Sequence, residues 1–330
     1  MAVGLRRDDT GGRSCVLVLG IIMVICACMW LMWNEREYAN TYNMLVETQS
    51  ECTPLPSSEI VNPILNEKLI YITGKLGTSG PVYDNQFNVS GDFVKLKRNV
   101  EMYQWIEEKE KGYHYKKDWR SEVMNSNLFY DPDDHHNPGF LPLTDMEWTA
   151  DISTIGSYEL SNDAVAKISN FRHLHLTPKE NVYGDTVYAG DRLKPKVGDI
   201  RVSYKYAGRA VKGKEDVVTV VARQSPGPVL TPFYTADGHG ILFVYQESLG
   251  FEDVFNRQYY SNRIKTWQHR LYAFLLNVLG CFLCRFWWVP SIIDGFRIST
   301  LIVIITWLWY QPLYGIPAFL IFILIKVCCS

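Results

Sequence analysis

The residue types in this chain that could do chemistry sit in a few short clusters. Gly208-Arg-Ala-Val-Lys-Gly-Lys-Glu215 comes within one residue of a phosphate-cradling loop. Such a loop ends in Ser or Thr, whose hydroxyl ligates magnesium, and opens a helix. Here Glu215 stands in the hydroxyl's place and a strand-like run follows, so the segment reads as a turn. Asp133-Asp134-His135-His136 has metal-ligating types, but its Pro-flanked loop offers no further ligand at metal spacing, and it reads as solvated. His173-Leu-His175 would set two imidazoles on one face of a strand, with no third ligand to name. Cys281-Phe-Leu-Cys284 has C-x-x-C spacing inside an apolar segment, where cysteines pack. G-x-S-x-G, H-E-x-x-H and Cys–His signatures are absent. No catalytic residue, cofactor-binding residue or metal ligand is therefore assigned, and no cofactor is expected. Two modification sites remain. Asn88-Val-Ser90 is the one N-x-[ST] sequon, a glycosylation candidate at Asn88. Cys328 and Cys329, at the end of an apolar segment, are candidates for palmitoylation.

The elements that would carry these residues are set by four apolar segments. The first, 15–33, holds no charge and is long enough to cross a hydrocarbon core of about 30 Å. It exceeds a signal-peptide core and ends in Met29, Trp30, Leu31, Met32 and Trp33, which suits an interfacial belt better than a cleavage site. The others are 271–289, 298–310 and 313–327, with Tyr310-Gln311-Pro312 as the turn of a helical hairpin. Four crossings put Arg6, Arg7, Arg13, Arg285, Arg297 and Lys326 on one side. The positive-inside tendency makes that side cytoplasmic or nucleoplasmic, including residues 1–14, and places the polar stretch 34–267 in the lumen. Arg263, Lys265 and Arg270 oppose this from the lumenal end of the second segment. A long domain translocates largely regardless of charge, so the assignment stands.

The expected fold class is an α+β membrane protein, with a β-rich lumenal domain, one N-terminal transmembrane helix and three C-terminal ones. Val94, Leu96, Val100, Met102 and Ile106 alternate with Lys95, Lys97, Asn99, Glu101 and Glu107, as in a half-buried strand. Tyr113–Arg120 reads as its return strand after a charged turn. Leu69–Leu76, Val197–Ala207, Val217–Arg223 and Ile241–Gln246 supply further strands. Asn162–Phe171 reads as a short helix capped by Ser161, and Phe251–Arg270 as a helix leading into the second span. Similar style on the two sides suggests β-rich halves, 54–150 and 151–267. Only Cys52 of the eight cysteines falls in this domain, so no disulfide framework is expected there. A net charge of −2 with no basic stripe speaks against nucleic acid.

Longer stretches carry a resemblance. Phe93-Val-Lys-Leu-Lys-Arg-Asn-Val-Glu-Met-Tyr-Gln-Trp105, Trp119-Arg-Ser-Glu122, Val197-Gly-Asp-Ile-Arg-Val-Ser-Tyr204, Val217-Val-Thr-Val-Val-Ala-Arg-Gln224, Lys265-Thr-Trp267 and Trp307-Leu-Trp-Tyr-Gln-Pro-Leu313 resemble, in order and spacing, the transmembrane protein 43 family, also called LUMA. The resemblance implies a four-span protein of the endoplasmic reticulum membrane and nuclear inner membrane with its large domain in the lumen. It implies a scaffold that helps maintain nuclear envelope structure, self-associates, and associates with emerin-type proteins, lamins and membrane lipid. No enzymatic activity is implied. This chain departs from the family in a shorter insert around Lys109–Tyr115 and in its end at Cys328-Cys329-Ser330, without a basic tail. Two competing functions keep their own signatures. An enzyme would show a lumenal cleft of paired titratable groups, and a channel would show facing polar residues among Asn277, Ser299, Thr300 and Thr306.

Overall fold

The computed structural model describes residues 10–328 apart from 178, 180, 236–237 and 286–287. Arg6, Arg7, Trp287 and Cys329 lie outside the described residues, as do the side chains of Arg13, Arg285, Lys326 and Cys328. The chain divides into a β-rich body, Cys52–Phe251, and a helical unit made of the segments before and after it.

In the helical unit α1 is one continuous helix, Thr10–Glu51. At ~1.5 Å per residue it measures about 63 Å, twice what a bilayer core needs. The sequence gives the reason: no Gly or Pro follows Gly20 until Pro54, so the apolar span and its polar continuation share one helix. A five-residue helix in the body is α2, Asn162–Ala166. The helix α3 spans Phe251–Arg285, α4 spans Trp288–Tyr310, and α5 spans Pro312–Cys328. By length and composition the helices at Cys15–Glu51 and Pro290–Tyr310 can cross a membrane, whereas Pro312–Ile323 is a shorter apolar helix. The expected segment 271–289 is the last part of α3 and overruns its end at Arg285, and 298–310 starts ten residues after α4 does. The expected helix Phe251–Arg270 is present and runs into the second segment without a break. Pro312 falls at the first position of α5, where its missing N–H costs nothing.

α1 and α3 run antiparallel. Tyr259 Oη donates to Gln49 Oε1 at 3.0 Å, Asn262 Nδ2 to the Tyr38 carbonyl at 3.2 Å, and Asn34 Nδ2 to the Thr266 carbonyl at 3.4 Å. Further along, Gly20 meets Gly280: a Cβ on either would lie 2.7 or 2.8 Å from the other's carbonyl oxygen. Only glycine lets two helix backbones approach so closely. α4 packs on α3 in the same manner, with Gly295 against the Val278 backbone.

The body contains two seven-stranded sheets. In the first, the strands Leu69–Thr78, Ser153–Ile155, Tyr158–Leu160, Val229–Thr231 and Val217–Ser225 pair in that order. Val217–Ser225 pairs back onto Leu69–Thr78 and closes a small barrel, with Val220 opposite Ile72. Its interior is filled by Ile70, Ile72, Ile155, Tyr158, Val218, Val220 and Leu230, leaving a packed core in place of a lumen. α2 caps this core with Ala164 and Val165, and the Ser161 hydroxyl accepts from the Ala164 N–H. The helix is shorter than the expected Asn162–Phe171.

The second sheet is built on the strand Phe93–Lys109, which pairs with Ile200–Arg209 on one side and with Tyr113–Arg120 on the other. The alternation expected over Val94–Ile106 holds from Leu96 onward, where parity adds Arg98 and Gln104 to the buried face, whereas Lys95, expected on the polar face, is buried and donates to the Ala166 carbonyl. The expected halves, 54–150 and 151–267, are not separate bodies. Each sheet takes strands from both, because Leu69–Thr78 pairs with Val217–Ser225 and Phe93–Lys109 with Ile200–Arg209. Long-range antiparallel pairing interleaves the two segments, and residues from Glu252 onward belong to the helical unit.

Candidate functional site in the helical unit

Among the described residues of the helical unit the one fully buried carboxylate is Glu35, on α1 two residues past the charge-free span. Among the described residues it draws donors from three helices. Arg270 of α3 donates through Nε to Oε1 at 2.7 Å and through Nη2 to Oε2 at 2.6 Å. Trp307 of α4 donates through its indole N–H to Oε2 at 2.7 Å, and the neighbouring Asn34 donates to Oε1 at 3.1 Å. The Arg270 guanidinium sits 4.8 Å from the Trp267 ring centroid and 5.4 Å from that of Trp307. The two-toothed geometry and flanking rings suit arginine and would not suit lysine. Chemically this is a clamp. Each carboxylate oxygen accepts from two donors, and the three helices are fixed in register.

The clamp closes one end of a crevice. Below it an apolar cavity of 490 Å³ lies among α3, α4 and α5, lined by residues including Phe274, Val303 and Ile304. Beside it a second cavity of 320 Å³ is lined by Tyr38, Tyr42, Arg263, Thr266 and Gln311. Trp267, Arg270 and Trp307 border both. Farther along α3, buried Asn277 donates to Ser299 Oγ at 3.0 Å, a bond between helices that binds them together without forming a polar path.

The sites singled out in the sequence are scattered. Asn88 is exposed in the turn of the hairpin joining Val82–Asp84 to Val89–Gly91, with φ of 53°, a left-handed conformation that Asn tolerates. His135 is not solvated as expected: its ring stacks on Tyr115 and stands edge-on to Trp105 at 4.7 Å. Aromatic neighbours on the Phe93–Lys109 hairpin draw the loop inward. His173 pairs with Asp185, across the strand edge. Burial pushes the Asp185 carboxyl up, and hydrogen bonds from His173 and Thr186 outweigh this to leave it lowered. Among the described residues no group of three His, Cys, Asp or Glu could hold a metal ion. The 208–215 segment is a turn between strands, in which Glu215 accepts from the Gly213 N–H at 2.9 Å. Cys284 packs over Gly20.

The body holds a second buried charge that the hydropathy pattern did not reveal. Arg98 Nη1 donates to Asp84 Oδ2 at 2.9 Å, and Tyr204 Oη donates to the same oxygen at 2.7 Å. The rings of Phe87 and Trp148 flank the guanidinium at 5.6 and 5.4 Å. Burial, then the bond to Asp84, pushes the Tyr204 hydroxyl far above the usual tyrosine range. The group is enclosed in the second core and ties the sheet to the hairpin that carries Asp84.

The family profile described as Transmembrane protein 43 matches residues 99–325. The chain belongs to the transmembrane protein 43 family. Human Transmembrane protein 43 is 31% identical over 354 residues, covering 94% of this chain and 88% of the human protein. The mouse protein is 31% identical over 353 residues, and the Drosophila melanogaster Transmembrane protein 43 homolog is 26% identical over 287 residues, 80% of this chain. No solved structure matches. These names state a place in the membrane and no activity. The profile covers Arg270 and Trp307, and Glu35 lies before it.

Proposed function

We propose that this chain is a multi-pass scaffold of the endoplasmic reticulum membrane and nuclear inner membrane. It organises membrane-protein complexes that maintain nuclear envelope structure. In this reading all four long helices cross the membrane, both ends face the cytoplasm or nucleoplasm, and the β-rich body is lumenal. Its partners are further copies of itself, emerin-type proteins and, through them, lamins. The observation that carries the reading is the clamp at Glu35. A tether needs only α1, yet three helices are fixed to one another by a buried ion pair and glycine contacts. Such a rigid block suits lateral assembly. Arg270 also ceases to oppose the orientation, since Glu35 neutralises it.

The test compares the full chain with one ending at Arg270, which keeps α1 and the body. The shortened chain is expected to lose most self-association in co-precipitation and to recover quickly after photobleaching at the nuclear rim. Equal assembly and retention would move the scaffold role to the body.

A further inference from the structure

We propose that the crevice beside the clamp is a specific site for one anionic glycerophospholipid of the bilayer, with an acyl chain in the apolar cavity and the phosphate at Arg263. This rests on α1 and α4 crossing a membrane and is independent of the scaffold reading. The apolar cavity follows α4 from Phe296 to Trp307, a rise of ~16 Å along the helix. Its 490 Å³ falls among typical ligand sites, and Leu271, Phe274, Val303 and Ile304 give it hydrocarbon walls. The second cavity, the more polar of the two, continues from it across Trp267, Arg270 and Trp307. A hydrocarbon-walled volume within the span and a more polar one at its end, near Tyr310, match the division between chain and headgroup.

Charge selects among lipids. Arg270 is matched by Glu35, so it adds no net charge to the second cavity. Arg263 lies two turns before it on the same face of α3, is exposed, and rests beside the Tyr260 ring at 5.5 Å. No carboxylate lines that cavity, and among the described residues none pairs with Arg263. Tyr38, Tyr42 and Gln311 add neutral groups able to donate to phosphate oxygens. A sterol would leave the cation unanswered, and a free anion would leave the hydrocarbon-walled cavity empty.

The experiment uses the full chain, stripped of lipid in a neutral detergent and read by native mass spectrometry. The probes are phosphatidylglycerol, phosphatidylcholine and cholesterol. Phosphatidylglycerol is expected to bind at least about fivefold more tightly than phosphatidylcholine, the effect of one cation at the headgroup level. Arg263→Gln should abolish that preference, Arg263→Lys should keep most of it, and Thr300→Trp, which fills the apolar cavity, should weaken both phospholipids. Because Arg263 is exposed, its variants test the headgroup contact even if Thr300→Trp fails to fold. Equal binding of the two phospholipids, a preference that survives Arg263→Gln, tighter binding of cholesterol, or displacement by inorganic phosphate would each overturn the proposal.

Discussion

Replacing Glu35 with Ala should strongly destabilise the helical unit. The carboxylate is fully buried, and the Arg270 side chain is 15% exposed. Removing one member of such a pair leaves an uncompensated charge, which costs about 3–5 kcal/mol. It also leaves the Trp307 indole without its acceptor. At the lower bound this corresponds to a fall of roughly 10 °C in the melting temperature of the helical unit. Arg270→Ala should cost a similar amount, because it strands Glu35. The double replacement leaves neither charge and should be less harmful than the sum of the two by at least about 2 kcal/mol. Trp307→Phe, which removes one charge-assisted hydrogen bond, should cost about 1.5–3 kcal/mol. Purified chains in detergent, melted under tryptophan fluorescence, give all four values. Additive single losses, or a Glu35→Ala chain within about 0.5 kcal/mol of the parent, would refute the clamp.

The body offers two further tests and the helical unit one. Cys52 is buried and burial pushes its thiol up to about 12, so a maleimide at neutral pH should label it only on unfolding; burial also means Cys52→Ser should cost about 1–3 kcal/mol, against the unchanged stability that its lack of a disulfide partner suggests. Because the folded Tyr204 hydroxyl is raised above its unfolded value near 10, its contribution is complete below about pH 10 and is lost as pH rises further; the stability of the parent should therefore fall in that range, and the fall should be shallower in Tyr204→Phe. Gly280→Val would push a side chain into the Gly20 backbone, and cross-linking between cysteines placed at Leu17 and Leu283 should drop severalfold if the two helices part.

Much of the body was legible because period-two alternation survives wherever one face is buried. The Phe93–Lys109 strand and its return at Tyr113–Arg120 follow directly from it. The same parity marks Arg98 and Gln104 as inward-facing, although their polarity disguises it. Pairing between Leu69–Thr78 and Val217–Ser225 carries no local signal, so two interleaved sheets looked like two halves. In the helical unit the apolar runs located the helices but not their ends. Phe251–Arg270 was legible as a helix entering the second span, and it is polar where α3 meets the polar part of α1. The clamp had a faint signature: one acid and one base, Glu35 and Arg270, each at the edge of an apolar run on antiparallel helices. Their partnership depends on the register set by Gly20 and Gly280, which only the packed helices reveal.

Proximity labelling in intact cells tests the central claim most directly. A labelling enzyme is inserted either at the exposed Lys111–Gly112 turn of the body or at the N-terminus. The account predicts lumenal proteins from the body position, and nuclear-lamina and inner-nuclear-membrane proteins from the N-terminus. Labelling of cytosolic or nucleoplasmic proteins from the body, or an N-terminal set without lamina proteins, would contradict it.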